Sequence, residues 1–175
     1  GMDAETREEL IRLLPRLRRF AYSLTGRMAD ADDLVQTACE RALERFSQRL
    51  PGSRLDSWMF RVIKNAFIDA TRKHKVRGDS VDPLEALQVA DDVAHRLFEN
   101  RSTLARVTAA LQQLPEEQRM VLVLIGVEQH TYREAAEILD IPVGTIMSRL
   151  ARGRAHLDRL LNPSAADLQG RGKDG

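Results

Sequence analysis

The residue types and spacings that could do chemistry fall on two stretches of the chain. Ser148 and Arg152 lie four apart, and at about 100° per residue in a helix they share a face with Gly144, Thr145, Ala151, Ala155 and Arg159. Small side chains there let a helix backbone sink into a nucleic-acid groove, where Ser148 and Arg152 can reach base edges or phosphates. Arg149 and Arg154 flank that face and suit the phosphate backbone. The second stretch carries Ser57, Arg61, Lys64, Ile68, Arg72 and Lys75 along one helical face, with Asn65 at its edge and Trp58 and Phe60 beside it. A basic stripe of this length can track phosphates while aromatics and an amide address unstacked bases, although the same residues also read as a solvated helix face. Catalytic patterns are missing: there is no Gly-rich phosphate loop, no nucleophile with a nearby base and no carboxylate pair in a metal pattern. His74, His95, His130, His156 and the single Cys39 lie at no metal-ligand spacing from one another. The expectation is a binding protein without catalytic residues, metal or cofactor, and not an enzyme.

Helices must position these residues. Thr131 and Glu134 spell a capping box ahead of a helix over 132–139. Asp140, Ile141 and Pro142 make a tight turn, because the residue before a proline is pushed out of the α region. The next helix starts at Val143 and turns Val143, Ile146, Leu150, Gly153, Leu157, Leu160 and Leu161 inward. A short helix, a tight turn and a longer helix make a helix-turn-helix, which weights the Ser148 and Arg152 face toward DNA and away from a plain solvated surface. In the basic stretch, Leu55, Trp58, Met59, Val62, Ile63, Ala66, Phe67 and Ala70 form an apolar stripe of helical period. Helices also fit 7–24, 32–46, 103–114, 116–127 and 143–161, and no alternating strand run occurs, so the fold class is all-α. Asp30, Asp32 and Asp33 suit a helix N-terminus, and Cys39 reads as a small core residue.

Charge is local. Of 27 Lys+Arg and 26 Asp+Glu, residues 1–80 hold 16 basic and 12 acidic, whereas residues 81–104 hold 2 and 5. Gly78, Asp79, Ser80, Asp82 and Pro83 break the helical pattern, so residues 1–77 and 102–162 are expected as two small domains. Residues 78–101 form a flexible linker, with a short helix over 83–89. The stretch 163–175 reads as a disordered tail. No apolar run nears the ~18–20 residues that span a bilayer, so no membrane insertion is expected. An acidic, polar start and one cysteine point to a reducing cytoplasm.

Four motifs now stand in order: Asp33-Leu34-Val35-Gln36; Asp56-Ser57-Trp58-Met59-Phe60-Arg61-Val62-Ile63-Lys64-Asn65; Leu114-Pro115-Glu116-Glu117-Gln118-Arg119; and Pro142-Val143-Gly144-Thr145-Ile146-Met147-Ser148-Arg149-Leu150-Ala151-Arg152-Gly153-Arg154. Together, over about residues 7–162, they resemble an extracytoplasmic-function sigma factor of the sigma-70 family. The resemblance implies a sigma2-like helical bundle and a sigma4-like helix-turn-helix in a promoter-specificity subunit. Such a subunit binds bacterial RNA polymerase core and directs transcription initiation of a stress-response regulon. Asp33, Gln36 and Thr37 would dock on the β′ clamp helices, with the β subunit as a further contact. A loop over 47–55 would capture a flipped base of the minus-ten element, and Trp58, Arg61, Lys64, Asn65 and Arg72 would handle the opened strand and adjoining duplex. Thr145, Met147, Ser148, Arg149, Ala151, Arg152 and Arg154 would meet the minus-thirty-five element. An anti-sigma factor is an expected partner. A free chain would either pack one domain on the other or be clasped by that partner, and either would hide the binding surfaces. The competing reading, a stand-alone helix-turn-helix regulator of duplex DNA, leaves the first domain without a task.

Overall fold

A computed structural model describes residues 1–76 and 103–163. Seven α-helices carry the described chain: α1 Ala4–Thr25, α2 Met28–Arg45, α3 Leu55–Val76, α4 Thr103–Gln113, α5 Glu116–Leu122, α6 Tyr132–Leu139 and α7 Val143–Leu161. The expected helix over 83–89, the linker over 78–101 and the tail from 164 lie outside the described residues.

The first helix begins where the Asp3 carboxylate accepts the Thr6 N–H at 2.7 Å. It ends at Gly26, whose φ of +74° is left-handed backbone that favours glycine. Helix α2 starts at Met28, a turn earlier than its aspartates imply, so Asp30 falls in the first turn. Helix α3 buries Leu55, Met59, Phe60, Ile63, Ala66 and Phe67 against α1 and α2, while Trp58 and Val62 stay half-buried at the stripe's edge.

The expected helix over 116–127 divides. Helix α5 stops at Leu122, and Val123–Val127 forms one wider π-type turn in which the Glu128 N–H reaches the Val123 carbonyl at 2.9 Å. Hydrophobic period cannot register that change of pitch. Its effect is to swing Glu128 and His130 inward, where both are buried. Helices α6 and α7 have the expected bounds. The capping box is formed, with the Glu134 N–H on Thr131 Oγ1 at 3.1 Å and the Thr131 N–H on Glu134 Oε1 at 2.9 Å. Asp140, at φ 56°, closes α6. Helix α7 buries Ile146, Leu150 and Gly153, with Leu157, Leu160 and Leu161 half-buried. Val143, expected inward, is exposed at the helix start. A Cβ on Gly153 would lie 3.0 Å from Leu122 Cδ1, so the missing side chain lets α7 cross α5 at close range.

Where the sequence implies two small cores, the buried apolar side chains of both helix groups make one continuous cluster. Helix α1 meets α4 and α5, and α3 meets α6. Side chains from the second group also complete the end of α1. Gln112 Nε2 donates to the Ser23 carbonyl at 2.9 Å, and Arg119 Nη1 donates to the Leu24 carbonyl. Arg119 also reaches the Leu111 carbonyl at 3.0 Å, tying the α4 end to the same point.

Candidate nucleic-acid interface

Helix α7 presents the outward face expected of it. Ser148, Ala151, Arg152 and Arg154 are exposed, Met147 is 54% exposed, and Thr145 is half-buried. The Ser148 hydroxyl donates to the Thr145 carbonyl at 3.1 Å, which fixes its rotamer along the helix. Arg149 sits differently from its sequence expectation: it is half-buried and turned toward Glu117 of α5, 3.8 Å away. The remaining outward side chains form a narrow strip with Arg152 central, Arg154 on the flank and Arg159 in the last turn, all three exposed.

The face of α3 is less open. Arg61, Asn65 and Arg72 are exposed, and Trp58 is half-buried with its ring edge-on to Phe46 at 6.3 Å. Lys64, expected outward, is buried at 7% exposure, and desolvation with Arg61 nearby lowers its pKa. The cause is α6, which packs on α3 and covers this part of the stripe. Between them lies a cleft of about 660 Å³ lined by the loop from Gln48 to Arg54, by Ser57, Trp58 and Arg61, and by Glu134, Glu137 and Ile138 from α6.

Sequence reasoning missed the polar groups that join the helix groups. Arg19 donates to both oxygens of Glu128, at 2.7 and 2.8 Å, and Arg16 lies 3.5 Å from the same carboxylate. Arg54 binds Asp56 through two nitrogens, at 3.1 and 2.8 Å, and reaches Glu134 Oε2 at 2.8 Å. Burial pushes the Asp56 carboxyl up, but the Ser57 N–H and the Arg54 and Arg16 charges leave it below its ordinary value. The Thr131 N–H holds Glu134 low as well. His130 stands edge-on to Phe60 at 4.8 Å, Nδ1 3.8 Å from Glu134, with Nε2 buried and unpartnered. Burial lowers its pKa. No local pattern exposes the pairings between the helix groups, since Arg19 and Glu128 are 109 positions apart and Arg54 and Glu134 are 80 apart.

On α2, Asp33 and Gln36 are exposed and Thr37 is half-buried. Gln36 Nε2 donates to Glu40 at 3.3 Å. Asp33 and Thr37 line a second cleft, of about 570 Å³, together with Asp30, Arg41 and Asp69 and with Gln112 and Arg119 of the second group.

Two family models match the chain: Sigma-70 region 2 over residues 10–77 and Sigma-70, region 4 over residues 104–157. The ECF RNA polymerase sigma factor EcfG of Rhodopseudomonas palustris is 37% identical over 164 residues, covering 92% of this chain and 87% of that one. Among solved structures, the sigma factor RpoE in complex with the anti-sigma factor NepR, from Bartonella quintana, superposes with TM-score 0.73 at 31% identity, covering 93% of this chain and 99% of that one. CnrH in complex with the cytosolic domain of CnrY superposes with TM-score 0.66 at 25% identity, covering 90% and 88%.

Proposed function

The chain belongs to the extracytoplasmic-function RNA polymerase sigma factors of the sigma-70 family, and from that premise we propose how its surfaces divide the work of promoter selection. As a promoter-specificity subunit it binds RNA polymerase core and directs transcription initiation. In the proposed division, α2 docks on the β′ clamp helices through Asp33, Gln36 and Thr37. Trp58, Arg61, Lys64, Asn65 and Arg72 hold the opened minus-ten strand and adjoining duplex. Helix α7 reads the minus-thirty-five element through Thr145, Met147, Ser148, Ala151 and Arg152, with Arg154 on phosphates and Arg149 joining it once it leaves Glu117. Residues 1–77 and 102–162 are its two working domains.

The observation that carries this reading is the pairing, in one chain, of an exposed groove-sized face on α7 with a separate basic and aromatic face on α3. A duplex regulator needs only the first. Bond making belongs to the polymerase, so the chain needs no catalytic residue, metal or cofactor of its own. No helix among the described residues is long and apolar enough to cross a membrane, and the proposed location is the cytoplasm, where polymerase works. RpoE is seen with the anti-sigma factor NepR, and CnrH with the cytosolic domain of CnrY, which supports an anti-sigma factor as a partner here and, with it, a regulon called on under stress. Run-off transcription with core polymerase on a promoter library tests the assignment. Core plus this chain should initiate at a restricted set of sites that core alone ignores. Sequence-specific duplex binding by the chain alone, with no affinity for core, would establish the stand-alone regulator instead.

A further inference from the structure

Helix α6 and the residue that closes it carry Glu134, Glu137 and Asp140 at successive three-residue steps, so they run along one side over about 9 Å of rise. Its other side buries Ala135 and Ile138 in the core. The acidic side meets the basic face of α3 and the loop before it. Glu134 is 2.8 Å from Arg54, Asp140 is 4.0 Å from Arg61, and Glu137 lines the cleft that holds Trp58. Asp140 is also the carboxylate that acts on the buried Lys64. Three carboxylates in a row, set against two guanidiniums and an ammonium beside an aromatic cleft, offer those cations what a run of phosphates would offer.

We propose that α6 is an internal stand-in for single-stranded DNA: in the closed chain its acidic edge lies on the Trp58, Arg61 and Lys64 part of the strand-holding face of α3, leaving Asn65 and Arg72 exposed, and nucleic acid and α6 compete for the same cations. The inference rests on the assignment of that face to the opened strand. The masking is one-sided. Ser148, Ala151, Arg152 and Arg154 stay exposed in the same closed arrangement, so the duplex-reading face of α7 is left free. Of the two surfaces that a closed chain would hide, this arrangement covers part of one, the stretch around Lys64. A chain locked in this way loads poorly onto single strands, and the covered part of the strand-holding face opens only when the helix groups separate. Because only the open fraction binds, apparent affinity falls by that fraction, so a chain open about one-tenth of the time binds about tenfold more weakly than its bare face would.

The test uses the full chain without polymerase and a fluorescent single-stranded DNA pool of mixed sequence, about a dozen nucleotides long. In Glu134→Gln/Glu137→Gln/Asp140→Asn the capping geometry is retained, since Gln serves at the third helical position and Asn accepts left-handed backbone. This variant should bind the pool at least about tenfold more tightly than the wild type at low salt, with a larger distance between dye labels on the two helix groups. Glu137→Gln alone, at an exposed position outside the capping box, should give a smaller gain in the same direction and serves if the triple variant fails to fold. Unchanged affinity in folded variants overturns the proposal. Arg61→Ala in holoenzyme keeps the two ideas apart: loss of promoter opening there with no gain in the α6 variants sinks the stand-in alone, whereas normal opening sinks the strand-holding assignment beneath it.

Discussion

Arg19 and Glu128 meet as a two-pronged ion pair in which the glutamate side chain is fully buried and the arginine side chain is 51% exposed. The Glu128 hydrogen bonds raise the Arg19 pKa above its ordinary value, so the guanidinium stays charged at any working pH. Its geometry joins α1 to the turn after α5, and it is one of the fixed points of the closed arrangement.

Arg19→Ala should therefore destabilise the chain by about 2 kcal/mol, the scale for leaving a buried carboxylate short of partners, since Arg16 at 3.5 Å offers partial compensation. Urea unfolding reads the change. A loss below about 0.5 kcal/mol would mean that Arg16 satisfies Glu128 by itself.

Acid should weaken the same interface. His130 titrates below 6.5 because burial opposes its charge; Glu134, Asp56 and Glu128 favour that charge and Arg16 opposes it. Between the lowered value and 6.5 the native state binds fewer protons than the unfolded chain, so stability is lost as pH falls through that window. Asp56 and Glu134, held below 3.8 and 4.5, add stability that is complete above those values and fades as pH falls below them. The urea midpoint should decline steadily from about pH 7 to pH 5, and His130→Phe should flatten the decline. An equal slope in the variant would assign the effect to other groups.

Gly26→Ala should cost about 2 kcal/mol, from forcing alanine into left-handed backbone and from evicting Gln112. The new Cβ would lie 2.8 Å from Gln112 Cδ, so Gln112 must abandon the Ser23 carbonyl. With Gln112→Ala in the background, the glycine change should cost less. Strict additivity in that double-mutant cycle would show that backbone strain accounts for all of it.

Docking on polymerase should depend on Asp33 and Gln36, one turn apart and both exposed. Replacing both with alanine should weaken core binding by a few kcal/mol, about 2 to 4, because a handful of central residues usually dominates an interface. Wild-type affinity in a titration with core would move the docking surface elsewhere.

Reading and holding should separate on α7. Arg152→Ala should relax base preference in the upstream element and cost ~1–3 kcal/mol on the best site. Arg154→Ala should weaken all promoters alike and lower the salt slope by about one. Holoenzyme affinities on single-base variants at two salt concentrations decide it: uniform loss with Arg152→Ala, or re-ranked bases with Arg154→Ala, reverses the two roles.

The parts legible in the sequence are those written in local period and capping. Thr131 and Glu134 announced α6 to the residue, and the alternation of apolar and small residues after Pro142 announced α7 and its outward face. The burial of Lys64 was not legible, because it depends on α6 lying over α3, a contact between positions with no shared period. The pitch change at Val123–Val127 was hidden for a related reason: an α-helix and a wider turn place consecutive apolar residues inward alike, and only the hydrogen-bond offset tells them apart. Arg54 meets Glu134 across 80 positions, and such pairings emerge only when tertiary structure sets partner against partner.

The last carbonyls of α1 illustrate a different property, thermodynamic reciprocity. Ser23 and Leu24 receive their hydrogen bonds from Gln112 and Arg119, so the final turn of α1 is complete only while the second helix group is in place. The two equilibria share one coupling free energy. Whatever frays that turn favours separation of the helix groups by the same amount that separation favours fraying. Gln112 and Arg119 also line the cleft beside Asp33 and Thr37, so a ligand seated there that draws either side chain away acts at once on a helix terminus and on the spacing of the two faces proposed to meet DNA. Amide exchange in the last turn of α1 thus serves as a local gauge of a global opening.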